Sequence, residues 1–342
     1  MTEPRQIVRG TTYHVTRRTL QQRFLLIPDR IIRNTFIFCL AYAASKFGIL
    51  VHAFVSMSNH YHVVITDPEA KLPRFQQWMN QKLAGSVLEY REMPGPLWHP
   101  GSYDAVVVGD PDGLDQPITL EGGENFEGDL GEPGEDIERA MDYVFLNPVS
   151  AGLVDTRSEW EGCSSSYRDI AEGTVLRATR PEHGFSAEDL AGIPEEVELV
   201  LTPPPHWMNL APADLEKLCA EADARLDSEE RAIVGKREKA TAARGPLPLA
   251  SDPLHQPRSA MERPKPWTRI RPRFAGARLL RRKIRLARLR TFLETYRDCL
   301  NAIRRNPIAR IVFPVGTYWQ RSFFGRPVES PNLCTAPLTT PG

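Results

Sequence analysis

Cysteine is scarce and unpatterned in this chain: Cys39, Cys163, Cys219, Cys299 and Cys334 are odd in number and form no Cys-x-x-Cys pair. That excludes a disulfide framework and a cysteine-built zinc site. No stretch approaches the roughly 18 apolar residues of a membrane-spanning helix. The opening MTEPRQIVRG lacks the apolar segment of a signal peptide. The expected location is the cytoplasm, at the nucleoid if the partner is DNA, and no membrane partner is expected. An HExxH-type helix is also missing, which leaves a zinc hydrolase without its usual base.

Excess charge of either sign is absent too, since 43 basic residues meet 43 acidic ones. The balance hides a segregation. Residues 1–100 carry 12 Lys and Arg against 6 Asp and Glu, residues 101–230 carry 7 against 31, and residues 231–342 carry 24 against 6. A basic arm for DNA or RNA is one reading, and mutual neutralisation of two regions of the chain is the other. Proline is plentiful at 30 residues, which predicts long irregular stretches.

The pattern along the chain predicts a strand at 11–19 and a helix at 27–48, with Asp29 at its start and Gly48 at its stop. Two strands at 49–57 and 60–67 follow, then a helix at 72–92 and a strand at 102–110. Strand, helix, strand, strand, helix, strand is the split βαβ order of a ferredoxin-like fold. The expected class is α+β, an antiparallel sheet with helices on one face, plus a largely helical basic C-terminal extension. The acidic, Gly/Pro-rich stretch 111–135 reads as a loop insertion, and 136–147 as a helix ended by Pro148. Residues 171–268 read as an acidic and then Pro-rich linker, with a helix-like segment at 211–240. Residues 269–327 read as the basic extension. Its helix at 277–306 carries a predicted apolar stripe that includes Leu279, Leu286, Leu293 and Leu300.

Chemistry is concentrated in SMSNHYHVVITD (56–67). A strand alternates faces, so His60 and His62 point one way and Tyr61 the other. Two imidazoles so placed are a metal pair or ordinary sheet histidines. On the helix 136–147, Tyr143 and Asn147 are four apart and share a face beside the apolar stripe of Ile137, Met141 and Val144. The amide oxygen of Asn147 could complete a two-histidine site, and the hydroxyl of Tyr143 could reach what a cation activates. A helix-border tyrosine and a stop asparagine are the plainer reading of that pair.

MSNHYHVVI, DYVFLNPVSAGLV, EWEGCSSSYRD and PLWHPGSYD together resemble the HUH single-tyrosine transposases. The branch they resemble most is the one associated with repetitive extragenic palindromes. The resemblance spans about residues 6–170. It implies a metal-dependent endonuclease and strand transferase acting on single-stranded or hairpin DNA by transesterification. In that reaction Tyr143 is the nucleophile, and a 5′-phosphotyrosine forms with release of a 3′-hydroxyl. His60, His62 and Asn147 are the implied ligands of Mg²⁺ or Mn²⁺, and zinc is expected to bind without supporting turnover. Tyr61, turned to the other face, is rejected as nucleophile. His14 lies in the first strand within reach of DNA but receives no role. Arg17, Arg18, Arg281, Arg282, Lys283, Arg285 and Arg288 are the expected DNA contacts. A homodimer is left open, and a non-catalytic nucleic-acid-binding protein on the same fold is the alternative. The acidic insertion departs from the family pattern, and the C-terminal half lies outside the resemblance.

Overall fold

A computed structural model describes residues 4–111, 129–244, 273–306 and 311–317. Its central sheet has four strands, β1 (Thr11–Arg18), β2 (Leu50–Met57), β3 (His60–Asp67) and β4 (Asp104–Gly109), ordered β2-β3-β1-β4 and antiparallel throughout. Two crossover helices complete the ferredoxin-like unit, α1 (Arg30–Phe47) and α2 (Leu72–Tyr90). The mixed α+β class read from the sequence holds.

Local chemistry sets the ends of α1. The Asp29 side chain accepts the Ile32 N–H at 2.7 Å, and Gly48 closes the helix at φ 67°. A cap of the first kind is worth about 1 kcal/mol, and the second needs a residue tolerant of the left-handed region. Ile32, Phe36, Leu40 and Ala43 recur at helical spacing and are buried against the sheet. Phe36 meets Phe54 and Tyr61, its ring centroid 6.0 and 5.7 Å from theirs. Tyr61 is fully buried on this face and donates its hydroxyl to Asn80 Oδ1 at 2.9 Å. The Trp98 indole N–H is held by the Asn80 carbonyl at 2.9 Å, which gives that tryptophan a structural task.

A third helix, α3 (Glu135–Phe145), covers the opposite face, burying Ile137, Ala140, Met141 and Val144 as the sequence pattern predicts. It ends two residues earlier than expected. Pro148 does not stop the chain's helical course; it sits in the first turn of a short helix, α4 (Asn147–Ser150), where its missing N–H is no loss.

Both sheet edges are covered. Residues 163–165 pair with β2 through Ser56 N–H to the Cys163 carbonyl (2.7 Å) and Ser165 N–H to the Phe54 carbonyl (3.0 Å). Residues 273–275 pair with β4 through Val107 N–H to the Arg273 carbonyl (3.0 Å) and Ala275 N–H to the Val107 carbonyl (2.8 Å). Covered edges offer no template to another chain.

The expected linker is folded over much of its length. Past α5 (Tyr167–Ala171), β5 (Val175–Thr179), α6 (Ala187–Gly192) and β6 (Glu196–Val200) form a hairpin-based unit packed on α1. Ala178 and Ile193 bury Phe38 there, and the Asn34 amide exchanges hydrogen bonds with the backbone of Thr179 at 2.7 and 2.9 Å. A 33-residue helix, α7 (Pro212–Arg244), follows and packs on α5. The Pro-rich stretch 245–268 lies outside the described residues, as do most of the acidic insertion (112–128) and positions 318–327 of the extension.

The extension's helix, α8 (Leu279–Arg305), buries Leu280, Ile284, Phe292 and Cys299, with Arg281 and Arg285 between them. Leu279 (67% exposed) and Leu286 (39%) of the predicted stripe face outward. The stripe is displaced because two arginines, made buriable by carboxylate partners, belong to the inner face.

One buried group outside the site gives the fold a pH dependence. His52 donates from Nδ1 to the Thr202 carbonyl (2.9 Å) and accepts at Nε2 from Thr66 Oγ1 (2.7 Å). Burial pushes its pKa down from 6.5 to about 4, against a smaller upward pull from the Thr202 bond. The unfolded chain therefore binds a proton first as pH falls, so stability present above pH 6.5 drains away towards pH 4. Between pH 7 and 5 this one group should remove about 2 kcal/mol. Urea titrations of wild type and His52→Gln should show a shallower acid loss in the variant. Equal losses would remove His52 as a source.

Candidate active site

Strand register brings the histidines together. Thr16 pairs with His62 and Arg18 with His60, so His14, Thr16 and Arg18 of β1 share a face with His60 and His62 of β3. The α3 helix crosses that face. Tyr143, half exposed, presents its ring edge-on to His62 at 5.3 Å between centroids and to His14 at 5.7 Å. His60 and His62 stand perpendicular at 4.9 Å. Asn147 is buried at the start of α4, and its side chain bears on the His60 ring, a small upward pull against burial. His60 Nδ1 is held by Asn59 Oδ1 at 2.6 Å, and His62 Nδ1 by His14 Nε2 at 2.9 Å.

The remaining nitrogen of His62 is the telling atom. Nε2 is buried and has no hydrogen-bond partner among the described residues. A buried polar atom left alone is costly, and such exceptions in a folded protein call for a ligand or a function. The imidazoles are also kept neutral. Burial lowers His14 and His60 to about 4. Burial, helped by the histidine neighbours and Arg18, also holds His62 well below the ordinary imidazole value. Neutral rings keep the lone pair that a cation requires. Two imidazoles and one amide oxygen therefore fit a divalent ion. Among the described residues, no three His, Cys, Asp or Glu side chains form a metal cluster, so a cation held here would have to draw on the amide as its third donor.

The four residues read as the chemical set thus fall in one place. The seven basic residues do not. Strand alternation sends Arg17 to the other face, over the Trp98 ring at 5.4 Å, while Arg18 stays exposed beside His60 and His62. Arg281 and Arg285 are buried on Asp136, with Arg285 also on Asp110. Arg288 approaches Asp110 at 3.7 Å. Only Arg282 and Lys283 of the α8 set are exposed. The expectation that Arg281 and Arg285 contact DNA is therefore corrected: their guanidiniums are taken up by carboxylates of the same chain. His14, opposite in parity to Tyr13 and Val15, received no role from the sequence; the β1–β3 register is what puts it on the site's face.

The neighbouring acid serves another purpose. Asp142 accepts the Tyr167 hydroxyl at 2.7 Å and pairs with Arg225 of α7 at 3.1 Å, tying α3 to α5 and α7.

No family model and no curated protein matches the chain. Among solved structures it is similar to a REP-associated tyrosine transposase bound to a REP hairpin, at 18% identity and a TM-score of 0.36, over 51% of this chain and 87% of that one. It is also similar to a Deinococcus radiodurans R1 protein provisionally described as a transposase, at 20% identity and a TM-score of 0.26, over 32% of this chain and 88% of that one.

Proposed function

We propose that this chain cleaves and rejoins single-stranded or hairpin DNA through a covalent bond to Tyr143. The carrying observation is the half-exposed Tyr143 set edge-on to His62, whose buried Nε2 has no partner among the described residues. His60 Nε2, His62 Nε2 and Asn147 Oδ1 are the groups that would hold Mg²⁺ or Mn²⁺. When bound, the ion supplies Lewis acidity at the scissile phosphate. The Tyr143 oxygen attacks phosphorus, a tyrosine–phosphate bond forms, the bond to the 3′ oxygen breaks, the phenolic proton is lost to solvent, and the departing 3′ oxygen takes up a proton from solvent. The freed 3′-hydroxyl can reverse the step or join another strand, so no nucleotide cofactor is consumed. A phenol, with a pKa of about 10, leaves more readily than an alkyl alcohol, which keeps the linkage reversible. Arg18, exposed beside the pair, is placed to meet a phosphate.

The direct test is a denaturing gel with labelled hairpin DNA and Mn²⁺, where a shifted protein–DNA band is expected. Unshifted DNA under saturating protein would leave a nucleic-acid-binding role instead. His60→Ala and His62→Ala should each weaken Mn²⁺ binding by more than ~10-fold in calorimetry while the far-ultraviolet spectrum is retained. Unchanged affinity in both would return them to ordinary sheet histidines.

A further inference from the structure

The geometry points to His14 as a positioning residue that holds the His62 ring in its Nδ1–H tautomer, leaving the Nε2 lone pair facing the cation site. This rests on the reading of that site given above. His14 Nε2 and His62 Nδ1 are 2.9 Å apart, so one ring donates and the other accepts. Were His14 the donor, the only proton of the neutral His62 ring would sit on Nε2. That N–H would then be buried with nothing to receive it. A stranded buried donor is the least favourable outcome, whereas a stranded lone pair is what a divalent ion takes up. The donor is therefore His62 Nδ1–H. The nitrogen opposite a ligating one usually donates in this way to an outer partner, which sets ring orientation and basicity.

His14 is suited to the task by its place. It sits on the central strand β1, diagonal to His62 across the β1–β3 register, with Thr16 directly opposite His62. Its ring also touches the Tyr143 ring edge-on, at 5.7 Å between centroids. One side chain thus orients the proposed ligand and borders the proposed nucleophile. Thr16 Oγ1, buried on the same face without a hydrogen-bond partner, does not compete for the His62 proton.

The test uses the full chain with ¹⁵N-histidine, with the His62 signals assigned by their loss in His62→Ala. Imidazole ¹⁵N–¹H correlation spectra of the metal-free protein should show the proton of His62 on Nδ1. His14→Phe keeps a ring but offers no acceptor, and His62 should move to the Nε2–H form. His14→Gln supplies an amide oxygen and should restore Nδ1–H. Mn²⁺ affinity should fall about 10–100-fold in His14→Phe and recover most of that in His14→Gln. An Nε2–H tautomer in the wild type, or a folded His14→Phe with wild-type affinity, overturns the assignment. If the phenylalanine variant fails to fold, the wild-type tautomer and the glutamine variant still decide it. Wild-type protein that shows the Nδ1–H tautomer but takes up no Mn²⁺ would instead overturn the metal reading, together with the role of His14 in serving it.

Discussion

Tyr143→Phe is expected to abolish the covalent protein–DNA adduct completely while leaving single-strand affinity within about twofold. The substitution removes one oxygen and retains the ring that packs edge-on against His14 and His62. Because Tyr143 is half exposed and its hydroxyl makes no hydrogen bond among the described residues, nothing in the described fold depends on that oxygen. A residue acting only in the chemical step loses turnover without losing binding. The measurement pairs the denaturing gel with fluorescence anisotropy on the same hairpin. Persisting adduct would disqualify Tyr143. Tyr61 would be a poor replacement, since it is fully buried on the opposite face and its hydroxyl is committed to Asn80.

Much of this arrangement was legible from local pattern. Caps, alternation and helical spacing gave the six elements of the sheet unit, because each of those signals acts over a few residues. The same rules could have separated Arg17 from Arg18, since that follows from strand parity. What parity cannot supply is register between strands distant in sequence, and that register decides which same-face residues touch. The second unit built on β5 and β6 was missed for a different reason. Its strands are short and mostly exposed, so the alternation is weak, and they are ordered by packing on α1 around Phe38. The inner face of α8 was misread because an arginine is counted as polar until a carboxylate in another element makes it buriable. Asp136 lies in the acidic first turn of α3 and Asp110 just past β4, and neither is visible as a partner from α8 alone.

The second large effect is expected at that same contact. Asp136 is buried, accepts the Ala277 N–H at 2.7 Å, and pairs through Oδ2 with Arg281 at 3.0 Å and Arg285 at 2.9 Å. Arg285 reaches on to Asp110 at 2.7 Å. Burial would raise the Asp136 carboxyl, but the Ala277 N–H and the two guanidiniums outweigh it and hold it below the ordinary carboxylate range. Its contribution to stability is therefore present above the unfolded carboxyl pKa and lost only as pH falls through the lower folded value. Across pH 5–7, where His52 lowers stability, this contact should stay constant. Asp136→Ala leaves two buried guanidiniums short of a partner, and breaking such a pair costs about 3–5 kcal/mol. Urea unfolding should record that loss for Asp136→Ala. The exposed Lys283→Ala should change stability by no more than ~0.5 kcal/mol. If Lys283 meets phosphate, its variant should instead weaken DNA binding and reduce the single-strand salt slope by about 0.7. A chain ending near residue 240 goes further, since it uncovers the β4 edge paired by residues 273–275 and strands Asp110 and Asp136 together. It should be insoluble or unstable rather than merely weaker in binding. Were that truncated chain to stay as stable as the full one, the extension would be an appendage, and the buried arginines would contribute nothing to the fold that carries Tyr143.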